Sequence, residues 1–102
     1  MKTYTIHIAD GNRVPIGTGQ LRFQYDSWWI CAVMAARRAP RGTGRSILRS
    51  LCTYAAVHGI CVVRLGTNYN NTPMLMCALH TGFKLDGCDK NGYVLSKVLI
   101  PT

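Results

Sequence analysis

A chain of 102 residues has room for one domain, residues 1–102, and not for two. With 48% hydrophobic and 16% charged residues it is no disordered segment, and no apolar run approaches the roughly 20 residues of a membrane-crossing helix. Twelve Lys and Arg stand against four Asp and no Glu, so the net charge of +8 favours an anionic partner, either a polyphosphate or a nucleic acid.

Met1-Lys2-Thr3-Tyr4 gives way at once to alternation, which does not read as a secretory leader. Tyr4 to Ala9 places Tyr4, Ile6 and Ile8 on one face and predicts a strand. Asp10-Gly11-Asn12 signals a turn, and Ile16 to Tyr25 resumes the alternation through Leu21, Phe23 and Tyr25. Gly17-Thr18-Gly19 falls inside that strand and reads as a bulge or flexible stretch. Trp28 to Ala35 is nearly all apolar, as in a central strand covered on both faces. Ala39-Pro40-Arg41-Gly42-Thr43-Gly44 is a loop. From Arg45 the period becomes helical, with Ile47, Leu48, Leu51, Cys52 and Ala55 on one face and Gly59 as a stop. Ile60 to Leu65 predicts another buried strand. Thr72 can cap a second helix, with Pro73 in its first turn, a stripe of Leu75, Met76 and Leu79, and Gly82 at its end. Phe83 to Leu85 and Tyr93 to Ile100 flank Asp89-Lys90-Asn91-Gly92, whose Asn-Gly pair predicts a hairpin. The order β-β-β-α-β-α-β-β implies an α/β (α+β) domain, a mixed sheet with two helices packed on it.

The five cysteines (Cys31, Cys52, Cys61, Cys77, Cys88) form no C-x-x-C pair, and all but Cys88 sit in apolar stretches. That predicts reduced core thiols in a cytoplasmic protein and no zinc or other metal site.

The segment from Trp28 to Leu51, strand then glycine loop then helix, is the one that suits phosphate. Gly42 and Gly44 let the backbone approach a ligand, and the loop amides and helix N-terminus together attract an anion. Arg37, Arg38, Arg41, Arg45 and Arg49 concentrate positive charge there, although a solvated basic face is the plainer reading of such a run. A Walker A loop is excluded: Ala39 stands for its first glycine, Arg45 for its lysine, and no apolar strand ends in an Asp for magnesium. A dinucleotide fingerprint is excluded too, since its third glycine and distant acid are missing.

Ala32 to Phe83 resembles the conserved half of the GNAT N-acetyltransferases. The Q/R-x-x-G-x-G/A loop of that family corresponds to Ala39–Gly44, continued by Arg45-Ser46-Ile47-Leu48. Asn71 opens the second helix, and Gly82-Phe83 closes it, without a gap. The resemblance implies a mostly antiparallel GNAT-like sheet and acetyl-coenzyme A as co-substrate, with no metal. It implies that the backbone of Ala32, Val33 and Met34 pairs with the pantetheine arm, that the amides of Arg41, Gly42, Thr43, Gly44 and Arg45 hold the pyrophosphate, and that Asn71 hydrogen-bonds the coenzyme chain. A helix cap is the structural alternative for Asn71. Implied chemistry is direct attack of a neutral primary amine, of a small molecule or peptide, on the thioester.

Four departures stand beside this. Ala39 replaces the loop's opening Q/R. Ala78 stands where the family often has a Tyr acid. Gly66 and Thr67 stand where it often has a Glu. The strand and two helices that usually form the acceptor side have no counterpart ahead of Tyr4. The catalytic residues are therefore not assigned: Asp26 and His80 are the candidate proton carriers, each more readily explained as structural or solvated. An exposed sheet edge and the adjacent Trp28 and Trp29 lead to the expectation of a homodimer. An inactive coenzyme-binding protein is the alternative function. A nucleic-acid module is the second alternative, disfavoured because the aromatic residues are not clustered with the basic ones.

Overall fold

A computed structural model describes residues 2–100. The elements follow in the expected order: β1 (Thr3–Ala9), β2 (Pro15–Gln24), β3 (Ser27–Ala35), α1 (Thr43–Val57), β4 (Val62–Asn68), α2 (Thr72–His80), β5 (Lys84–Cys88) and β6 (Gly92–Val98). They build one six-stranded sheet in the order β1-β2-β3-β4-β6-β5. Only β3 and β4 are parallel, because α1 carries the chain back across the sheet between them. Every other neighbouring pair is antiparallel.

Alternation assigns the faces. Leu21, Ile30, Val63, Leu65 and Leu95 point to the helices, where Ile47, Leu48, Leu51, Cys52 and Ala55 of α1 meet them. Seven of these residues (Leu21, Ile47, Leu48, Leu51, Ala55, Val63, Leu95) are wholly enclosed, and burying each of the larger side chains stabilises by about 1.5–3 kcal/mol. Gly17 and Gly19 are packing positions. A Cβ on Gly17 would lie 2.6 Å from Ile47 Cδ1, and one on Gly19 would lie 2.8 Å from Ile47 Cγ2. The missing side chains let α1 settle onto β2.

The structure corrects several expectations. β3 and β4 are not covered on both faces: Ile30 is the only buried residue of β3, and β4 alternates buried Val63, Leu65 and Thr67 with more exposed neighbours. Apolar runs on this sheet therefore do not report two-sided burial. Helix α1 begins at Thr43, two residues early, since Gly42 at φ 92° is the true boundary. Asn71, not Thr72, caps α2. The buried side of α2 is Met74, Leu75, Cys77 and Ala78, while Met76 and Leu79 face outward. Of the cysteines only Cys52 is in the core, and all five are free. The Asn91-Gly92 signal marks a real hairpin for another reason. Asp89 Oδ1 accepts from the amides of Asn91 (2.7 Å) and Gly92 (3.1 Å), and Gly92 is required because a Cβ there would sit 2.0 Å from the Thr67 carbonyl oxygen.

Candidate functional site

The site begins with a failure of strand pairing. β3 and β4 pair only at Trp28–Val63, Trp29–Arg64 and Ile30–Leu65, although β3 continues to Ala35 and β4 to Asn68. Ala32 has φ 52°, and the β2–β3 register slips there: Thr18 and Gln20 oppose Met34 and Cys31. One extra residue on β3 is a bulge, and a bulge bends its strand. The strands part, leaving a cleft of about 240 Å³ between Ile30–Val33 and Leu65–Asn68, with Asn71 and Met74 at its head.

A second hollow of about 510 Å³ opens between the start of α1 and the side of α2. Its walls include Arg41, Gly42, Gly44 and Arg45 on one side and Pro73, Cys77 and His80 on the other. Val33, Asn71 and Met74 line both spaces, so cleft and hollow form one groove.

The loop leaves donors free. Among the described residues the amides of Arg41, Gly42, Gly44 and Arg45 have no protein acceptor. Thr43 differs: its amide (3.2 Å) and its hydroxyl (2.6 Å) both donate to Pro40 O, and its side chain is buried. No acidic residue occupies the first turn of α1, so nothing there neutralises the roughly half positive charge of a helix N-terminus. The one ion pair among the described residues is Arg64–Asp86, at 3.2 Å on the far side of β4. Asn71 uses its Oδ1 to accept from Met74 N at 3.3 Å, which leaves its side-chain NH₂ without a protein acceptor among the described residues. Burial pushes the Cys77 thiol up, against the pull of Arg45 and Arg49, and so keeps it protonated.

Of the nine residues singled out in the sequence, seven line this groove: Ala32, Val33, Arg41, Gly42, Gly44, Arg45 and Asn71. Met34 does not. It is 64% exposed and lies opposite Thr18. Thr43 is committed to the loop. Asn68 and Cys77 are lining residues not assigned to the site from the sequence, and Thr67, named there only as standing in place of a Glu, lines the cleft as well. Thr67 shares the parity of Val63 and Leu65, and a hydroxyl on the core-facing side of an apolar strand was the available signal.

No protein-family model and no curated protein matches the sequence. Solved structures do match by shape. The PaiA N-acetyltransferase of Thermoplasma acidophilum, in complex with coenzyme A, superposes with a TM-score of 0.80 at 16% identity, over 96% of this chain and 62% of its own. Aminoglycoside 6′-acetyltransferase type Ii gives 0.79 at 20% identity, over 98% and 71%. An acetyltransferase of the GNAT family from Staphylococcus aureus gives 0.79 at 12% identity, over 96% and 68%. The chain has the GNAT fold. At these identities the likeness is one of fold, and the chain spans about two thirds of the length of these proteins.

Within this GNAT fold the two candidate proton carriers lie away from the cleft. Asp26 sits in the β2–β3 turn, where Tyr25 (φ 51°) and Asp26 (φ 58°) form a two-residue connection of left-handed residues. It lines a separate hollow of about 540 Å³ at the opposite end of β3. His80 lies at the loop end of the groove, where Arg45 donates to its Nδ1 at 2.8 Å. A guanidinium only donates, so the ring proton is on Nε2 and the Nδ1 lone pair is occupied. Ala78 is wholly buried in the core and lines neither part of the groove. No carboxylate lines either part.

Proposed function

We propose that this chain binds acetyl-coenzyme A along the groove and transfers its acetyl group to a primary amine. The observation that carries the reading is the junction at Asn71: unpaired loop amides, a free asparagine NH₂ and a gap between parallel strands all open into one space. A flexible diphosphate ligand with an amide-bearing arm has a matching sequence of groups. The amides of Arg41, Gly42, Gly44 and Arg45 bind the diphosphate, and the Arg41 side chain adds charge beside it. The Asn71 NH₂ donates to the arm. The β3 backbone from Ala32 to Val33, without partners on its β4 side, accepts the arm as an added strand. The coenzyme supplies an acyl carbon activated by its thioester. Backbone N–H groups near the bulge polarise the acyl oxygen.

Thermal unfolding tests this first. Acetyl-coenzyme A at about 100 times its Kd contributes about 2.7 kcal/mol, so a rise of several degrees in Tm is expected, lost when the adenine or the 3′-phosphate is removed. Thiol release across a panel of small and peptide amines then tests transfer. The groove's lack of a carboxylate favours a second reading, a protein that binds the coenzyme and does not transfer. It predicts the Tm rise without thiol release.

A further inference from the structure

The outer face of α1 carries charge that the groove does not use. Between Asp26 and Asp86 the chain has no acidic residue, and Arg37, Arg38, Arg41, Arg45 and Arg49 all fall in that interval. All five are exposed, and none makes an ion pair among the described residues. Arg41 and Arg45 line the groove, whereas Arg37, Arg38 and Arg49 line neither part of it. Arg45 and Arg49 stand about one turn apart on α1, with Ser46, Ser50 and Thr53 exposed beside them. Farther along the same helix lies a hollow of about 560 Å³, lined by Arg49, Ser50, Thr53, Tyr54, Val57 and His58. The His58 ring stacks on Tyr54, with centroids 4.2 Å apart and planes 24° from parallel. Its Nδ1 is 2.9 Å from the Tyr54 carbonyl oxygen. A carbonyl only accepts, so Nδ1 carries the proton and the bond holds the imidazole over the tyrosine.

Along the sequence the aromatic residues stand apart from the arginines, but the winding of α1 brings Tyr54 and His58 into one hollow with Arg49. Guanidinium groups without counter-ions suit phosphates, and a stacked ring pair beside them suits a base. We propose that the outer face of α1, with the loop before it, binds single-stranded nucleic acid. Arg37, Arg38, Arg45 and Arg49 neutralise successive backbone phosphates along a helix about 22 Å long. The hydroxyls of Ser46, Ser50 and Thr53 donate to phosphate oxygens, and a base stacks on the His58–Tyr54 pair. Charge complementarity decides for an anionic partner, and two features decide which one. Of the described apolar residues of α1 only Val57 is large and exposed, which is too little to enter a lipid surface. The ring pair needs an unpaired base, which a duplex does not offer.

Fluorescence anisotropy tests this with a labelled, mixed-sequence RNA single strand of about 12 nucleotides, within the usual site sizes, at about pH 8, where an ordinary imidazole is neutral. Binding is expected, with log K falling linearly in log salt between about 50 and 200 mM at a slope of about −0.7 for each phosphate neutralised. The triple variant Arg37→Gln/Arg38→Gln/Arg49→Gln should make that slope shallower by about 2. A control of the same net charge, Lys2→Gln/Lys84→Gln/Lys90→Gln, should leave the slope near the wild-type value. His58→Ala should weaken binding about fivefold at unchanged slope, since it removes a ring and no phosphate contact. No binding at about 50 mM salt overturns the proposal, and so does a control that flattens the slope as much as the arginine variant, which would make the binding one of bulk charge. Wild-type affinity in His58→Ala, tighter binding of a duplex of the same sequence, or tighter binding of phosphatidylserine vesicles each overturns it as well. Complete displacement of the strand by coenzyme A would place it in the groove and not on α1. None of these results bears on coenzyme binding itself, which the Tm rise measures without nucleic acid.

Discussion

Asn71 does two jobs with one side chain, and substitution can separate them. Its oxygen caps α2 and its nitrogen faces the groove. Asn71→Asp keeps the capping acceptor and deletes the donor, whereas Asn71→Ala deletes both. Loss of a cap costs about 1 kcal/mol, so Asn71→Ala should lower stability in urea by about that amount while Asn71→Asp stays near wild type. Both should weaken acetyl-coenzyme A binding. Asn71→Asp should do so more, by placing a carboxylate where the coenzyme's own amide and phosphate oxygens approach. Equal coenzyme affinity of the Asn71→Asp variant and the wild type in calorimetry would restrict Asn71 to its capping role.

At the scale of elements, the glycines divide according to what they face. Gly19 faces side chains of α1, which can shift, whereas Gly92 faces the backbone of β4, which cannot. Gly19→Ala should cost about 1–3 kcal/mol by overpacking, and Gly92→Ala should cost more, to the point of opening the β4–β6 pairing. Urea denaturation of the two variants measures the difference. The same distinction explains what was legible in the sequence. Strand and helix order followed from periodicity, and the loop from Ala39 to Gly44 followed from its glycines and the helix after it. The partition of α2 did not follow, because a nine-residue helix with apolar residues at Met74, Leu75, Met76, Cys77, Ala78 and Leu79 has no single stripe to read. The β2–β3 connection did not follow either: Tyr25 and Asp26 adopt left-handed conformations without a glycine or asparagine to announce them. The bulge at Ala32, on which the cleft depends, carries no residue signal at all. For the site, the sequence pointed to the loop and Asn71, and named Thr67 only as standing in place of a glutamate, because a lone threonine in a strand is ordinary until its hydroxyl is seen without a partner.

For the whole molecule, one sheet face is packed and the other is bare. Across the bare face runs the cross-strand row Thr3, Arg22, Trp29, Arg64, Ser96, with Lys84 at its end. The thiols set a global pH response. Burial raises Cys31, Cys52 and Cys77 above the ordinary thiol value. The folded state thus holds protons that the unfolded chain releases, and the associated stability is complete below the unfolded thiol pKa and lost as pH rises through the folded values. Urea unfolding should show stability falling as pH rises above the ordinary thiol value of about 8.5, with a shallower fall when the three are replaced by alanine.

The short pairing of β3 with β4 has a mechanical side. Two three-stranded panels, β1-β2-β3 and β4-β6-β5, meet along three residue pairs, with α1 packed chiefly behind β2 and β3. Their direct backbone pairing is short. A molecule wedged into the open half of that seam would touch both panels, and part of its binding energy would go into holding the two together.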